Sequence, residues 1–151
     1  MGNSHGDTPQ LSSTAAFLIA KLGQSVGSRF AERLEPIGLR PRHCGVLSLL
    51  ADGVPGSQLD LGKRLSVVPS AVVGLLDDLE ELGAVERGAD RSDRRRHAVA
   101  LTGRGRWLLR RSQEIALALD LELLADLGSA ERTAFIATLR AVAVSTGAVG
   151  D

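Results

Sequence analysis

Between Ser57 and Thr102 the sequence sets two short leucine-rich segments on either side of a tight turn. Two short alternating segments follow at once, divided by an arginine-loaded polar connection. Few folds satisfy that succession. Ser57, with Asp60 three residues on, is placed to cap a helix of about two turns whose inner face is Leu59, Leu61 and Leu65. Ser66 to Val68 form the turn, and Pro69 opens the next helix, which carries Val72, Leu75, Leu76, Leu79 and Leu82 inward as far as Gly83. Two short helices so joined predict a helix-turn-helix. Ala84 to Arg87 and His97 to Leu101 then alternate with Val85, Val99 and Leu101 on one side, so a β-hairpin with Gly88 to Arg96 as its loop is expected. A hairpin after a helix-turn-helix is a wing.

The flanks of this unit are helical. Thr8 and Pro9 read as the start of one long amphipathic helix through Leu11, Ala15, Leu18, Leu22, Val26, Phe30 and Leu34, broken near Pro36 to Gly38. Pro41 restarts a helix through Val46, Leu47, Leu49 and Leu50, which stops at Asp52 and Gly53. Thr102 caps a fifth helix through Trp107, Leu108, Leu109, Ile115, Leu119 and Leu123. Gly128 and Ser129 end that helix and start a sixth, with Phe135, Ile136, Leu139 and Val142. The expected class is mainly α with a small β-hairpin (α+β): a winged helix-turn-helix flanked by N- and C-terminal dimerisation helices. Residues 1–8 are expected to be a mobile start, 9–38 and 103–146 the dimerisation helices, and 39–102 the reading unit. The outer apolar stripes are longer than one reading head can cover, which predicts a homodimer.

Charge is distributed to match. The chain has 18 basic and 18 acidic residues and no net charge, which argues against a nonspecific polycation. Yet between Arg87 and Arg111 nine arginines meet only Asp90 and Asp93, for +7, leaving −7 for the remainder. Double-stranded DNA is the partner this pattern predicts. The second helix of the motif would lie in the major groove with Ser70, Ala71, Val73 and Gly74 outward. Arg94, Arg95 and Arg96 would reach the minor groove, oriented by Asp90 and Asp93, with Lys63 and Arg64 on phosphate. The alternative is a winged helix that binds another protein through an apolar surface around Val73 and Gly74, with weak DNA binding.

Other chemistries find no support. His5, His43 and His97 are scattered, and Cys44 beside His43 points about 100° away on a helix, so no metal site or cofactor is expected. No nucleophile elbow or phosphate-binding loop is present, so no enzyme is expected. The single cysteine, Cys44, has no partner for a disulfide and reads as a small core residue. An oxidation sensor is the competing reading for it. No apolar stretch approaches a membrane span and the start is polar, so a cytoplasmic protein with no membrane partner is expected.

From Leu39 to Arg106 the wording resembles the MarR family of transcriptional regulators, most sharply in Leu65–Arg87, in Asp90 to Arg96, and in Ala98–Arg106. The family's wing pattern falls on Asp90, Asp93, Arg94 and Arg95, and its capped helix start on Leu101, Thr102, Gly105 and Arg106. The resemblance implies a homodimeric, sequence-specific repressor with a six-helix, one-wing layout, released from a pseudo-palindromic operator by a small aromatic or anionic effector. Two departures stand out. Ser70, Ala71, Val73 and Gly74 occupy positions where the family often has threonine or arginine, and Cys44 stands where many relatives carry an aromatic. The smaller side chain is expected to leave room for an effector beside Phe17, Lys21 and His43.

Overall fold

The computed structural model describes residues 10–54, 57–89 and 97–149. Six helices and one hairpin follow in order: α1 (Ala15–Leu34), α2 (Pro41–Ala51), α3 (Gln58–Leu65), α4 (Pro69–Glu81), β1 (Val85–Ala89), β2 (His97–Leu101), α5 (Gly103–Leu123) and α6 (Ser129–Ser145). Short 3-10 turns at Leu11–Ser13 and Glu35–Ile37 bracket α1. The mainly helical winged architecture is as expected.

Three boundaries differ from the expectation. Helix α1 begins at Ala15 and not near Pro9, because the Thr14 hydroxyl accepts the Phe17 N–H and caps it, leaving Leu11 in the preceding turn. Strand β1 runs on to Ala89, pairing Gly88 with Ala98 and Ala89 with His97, so the hairpin connection is residues 90–96. Helix α5 stops at Leu123, ahead of Gly128, and a turn closed by the Leu127 N–H on the Leu124 carbonyl leads into α6.

One inner-face assignment is corrected. Leu59 is 57% exposed. It sits two residues before Leu61, about 200° around the helix, so the two cannot share a face. Gly62 joins Leu61 inside instead, with Leu65 half-buried beside them. The core gathers Leu34, Leu39, Leu47, Leu61, Leu76 and Leu79 with Val85 and Val99 of the hairpin and Leu108 of α5. Leucines and valines from all these elements make the reading head one unit.

The two ends of the chain behave otherwise. Helix α6 buries none of its residues, and Phe135, Ile136, Leu139 and Val142 are 39–49% exposed along one face. Leu18, Ile19 and Leu22 of α1 and Leu117 and Leu121 of α5 are exposed as well. No helix among the described residues is long and apolar enough to cross a membrane.

Candidate nucleic-acid interface

The geometry of the reading unit follows from small residues and caps. Asp60 N–H bonds the Ser57 hydroxyl at 3.1 Å and starts α3 as the sequence indicates. Ser66 ends the helix in a left-handed conformation (φ 53°), and the Val67 N–H returns to the Gly62 carbonyl at 3.0 Å. Gly62 is buried where the turn folds back; a Cβ there would lie 3.0 Å from the Val67 carbonyl oxygen. A larger residue would require the turn backbone to give by a few tenths of an ångström.

Helix α4 then presents Val72, Leu75, Leu76 and Leu79 to the core and an opposite stripe outward. Ser70 and Gly74 are exposed on that stripe, and Val73 is half-buried. Val68, just before the helix, is 64% exposed and cannot cap it, so no side chain closes the helix start. Further along, the stripe turns acidic with Asp77, Glu80 and Glu81. Lys63 and Arg64 are exposed in the last turn of α3, around a hollow of about 330 Å³ shared with Asp52 and Asp60.

The arginine-rich stretch divides into two parts. Asp90, Asp93, Arg94, Arg95 and Arg96 lie outside the described residues. Several of the other arginines hold the wing in place. Arg87 on β1 pairs with Asp77 and, at 3.6 Å, with Glu80 of α4. Arg104 Nε donates to the Leu82 carbonyl at 2.6 Å, closing the end of α4, and Arg106 donates to the Leu101 carbonyl at 3.2 Å. Thr102 caps α5 by accepting the Gly105 N–H at 3.0 Å while its hydroxyl donates to the Gly83 carbonyl. Arginines that the charge run suggests are surface are in part joints, which charge counting alone does not distinguish.

Above the reading helix a cleft of about 780 Å³ opens between the end of α1 and the end of α4, lined by Glu32, Glu35, Arg40, His43, Asp78 and Glu81 over Leu39 and Leu82. His43 is buried there at 2% exposure. Its Nδ1 accepts the Arg40 backbone N–H at 3.1 Å, so the ring proton sits on Nε2 and points to Asp78 at 3.2 Å. Arg40 also pairs with Asp78, so two side chains of α2 and its N-cap hold the reading helix. Burial pushes the His43 pKa below its usual range; the bond to Asp78 opposes this and Arg40 reinforces it. Below about pH 6.5 the unfolded chain takes up a proton that the folded imidazole refuses, so His43 favours the fold fully above that pH. That contribution is lost as pH falls through the lowered value. The denaturation midpoint is therefore expected to fall as pH drops below about 6.5. His43→Gln, which can make both bonds without titrating, should flatten the fall; an identical fall in the variant would assign it to other groups.

The four residues expected around an effector fall into two pairs. Lys21 Nζ stands 5.9 Å over the Phe17 ring near the start of α1. His43 and Cys44 belong to α2, beside the far end of α1, which at 1.5 Å per residue lies about 20–25 Å from Phe17. One protomer does not bring them together. Cys44 is half-buried, its thiol directed at the Arg40 carbonyl 3.7 Å away, and burial pushes its pKa up. A thiol so placed is poorly ionised, against a role as a peroxide-reactive group.

A helix-turn-helix with one helix open along its outer stripe, a two-stranded wing braced on that helix, and long flanking helices with uncovered apolar faces define a winged helix-turn-helix protein. Residues 37–96 match the model of the MarR family. The HTH-type transcriptional repressor Rv2887 of Mycobacterium tuberculosis (strain ATCC 25618 / H37Rv) is 31% identical over 119 residues, covering 79% of this chain and 86% of that protein. The chain belongs to the MarR family of transcriptional regulators, which is not an enzyme class. Among solved structures, CouR from Rhodococcus jostii RHA1 bound to p-coumaroyl-CoA superposes with a TM-score of 0.74 at 31% identity, covering 90% of this chain and 96% of that one. The transcriptional repressor CouR bound to a 23-mer DNA duplex gives 0.77 at 28% identity, covering 95% and 99%.

Proposed function

We propose that the chain is a homodimeric, effector-responsive repressor that binds a pseudo-palindromic operator in double-stranded DNA. The observation that carries this is the open outer stripe of α4 beside the braced wing, in a chain whose fold matches a repressor bound to duplex DNA. Residues 39–102 form the reading unit, while 9–38 and 103–146 form the dimer. Ser70, Val73 and Gly74 face the major groove, where Ser70 reaches a phosphate or base edge and Val73 meets a thymine methyl. Lys63 and Arg64 contact phosphate; Arg94, Arg95 and Arg96, oriented by Asp90 and Asp93, enter the minor groove. A CouR complex contains p-coumaroyl-CoA, an aromatic and anionic molecule, and Lys21 above Phe17 is the cationic handle for an effector of that kind. Acting on the chromosome requires a cytoplasmic location. The protein-binding alternative loses part of its support, since Val73 is half-buried.

Replacing Arg94 and Arg95 with Ala tests the wing. Affinity for operator and random duplexes should drop together, and the slope of log K against log salt should become shallower by about one for each DNA phosphate left without its arginine. Thermal stability should stay within about 0.5 kcal/mol of the parent. An unchanged salt slope would mean the wing does not touch DNA.

A further inference from the structure

The outward stripe of α4 that begins with Ser70, Val73 and Gly74 continues through Asp77, Glu80 and Glu81, because residues three and four apart share a helix face. Asp77 lies about 10 Å along the axis from Ser70, comparable to the Debye length at physiological salt. A helix docked by its first turns in a groove would therefore hold bare carboxylates within repulsive range of the phosphates. Arg87 answers both of the nearer ones: one guanidinium nitrogen bonds Asp77 and another stands 3.6 Å from Glu80. These two carboxylates are half-exposed, at 52% and 45%, and among the described residues Arg87 is the cation that pairs with them. Arg40 holds Asp78 on the adjoining face.

We infer that Arg87 is a positioning residue of the reading surface, which neutralises Asp77 and Glu80 on the recognition helix and fixes the base of the wing against it. This rests on the DNA-reading function proposed above. A direct phosphate contact by Arg87 is the rival role, and a mutant cycle separates the two. The probe is a 30-base-pair duplex selected from a random pool by the unmodified dimer; failure to select any duplex would overturn the DNA-reading function itself, and this inference with it.

With a duplex in hand, Arg87→Ala should weaken binding about tenfold or more, since like charges brought close to phosphate are strongly disfavoured. Melting should hardly change, because exposed ion pairs contribute little to stability. Adding Asp77→Asn and Glu80→Gln to Arg87→Ala should restore affinity to within about threefold of the unmodified protein, as the charges needing neutralisation are then gone. Arg87→Lys, a point charge without the two-pronged fork, should fall between. The inference is overturned if Arg87→Ala binds normally. It is overturned equally if the triple variant falls as far below the Asp77→Asn, Glu80→Gln pair as Arg87→Ala falls below the parent, which would place Arg87 on the phosphate.

Discussion

Ile136→Asp combined with Leu139→Asp is expected to turn the dimer into a monomer and to weaken operator binding by about 10²–10⁴-fold. The two positions lie on the exposed face of a helix that buries no residue within its own protomer, so a carboxylate there costs the monomer little. In the dimer the same carboxylates would be buried without partners. Loss of affinity follows from losing the second reading head, whose binding is intramolecular once the first is seated. Sedimentation and a titration with a full operator against a single half-site check both parts. A variant that stays dimeric, or a monomer that holds the full operator as tightly as the dimer, would show that α6 does not assemble the reading heads.

Gly105→Ala should destabilise the fold by about 3 kcal/mol or more. A Cβ at this position would lie 2.0 Å from the Ala84 carbonyl oxygen and 3.0 Å from Leu101 Cδ2. The Leu101 tip can swing aside, but the carbonyl cannot retreat easily, since it accepts the Thr102 N–H at 3.1 Å and Ala84 is fully buried. Overpacking against side chains typically costs about 1–3 kcal/mol, and an obstruction made of backbone belongs at or beyond the top of that range. Gly74→Ala is the matched control: it lies inside α4 with nothing within 4 Å of the added carbon, and should gain up to about 1 kcal/mol from helix propensity. Urea denaturation of both compares them directly. Equal midpoints would mean that α5 does not seat closely on the hairpin base.

Legibility in the sequence follows the range of the interaction. Caps and breaks are readable because they depend on a few adjacent residues: Ser57 with Asp60, Pro69 at the start of α4, Thr102 at the start of α5. The start of α1 is not, because Thr8–Pro9 carries the stronger local signal, a proline that Thr14–Ala15 lacks, while the helix is capped where the Phe17 N–H meets the Thr14 hydroxyl. Leu59 lands on the wrong face when leucines are counted without their angle on the helix.

The candidate site divides along the same line. Ser70, Val73 and Gly74 can be placed on the outer stripe of α4 from periodicity, since that stripe is what remains when the leucines turn inward. Arg87 and Arg104 can be counted as charge, but their partners, Asp77 and Glu80 for one and the Leu82 carbonyl for the other, are set by how the hairpin folds back on α4. His43 offers no signal beyond its residue type, because a neutral buried imidazole is defined by Arg40 and Asp78, and Asp78 is 35 residues away. The four residues grouped around Cys44 match in chemical type, yet the length of α1 keeps Phe17 and Lys21 away from α2 in the protomer.

By itself the sequence determined the order of elements, the two-helix turn, the hairpin and the surplus of apolar surface at both ends, all of which follow from local backbone preference and the period of burial. The tertiary structure alone decided which arginines brace the wing, which histidine is buried against the reading helix, and where a glycine is obligatory. Those depend on atoms brought within a few ångströms by packing, and no pattern along the chain encodes a distance between segments.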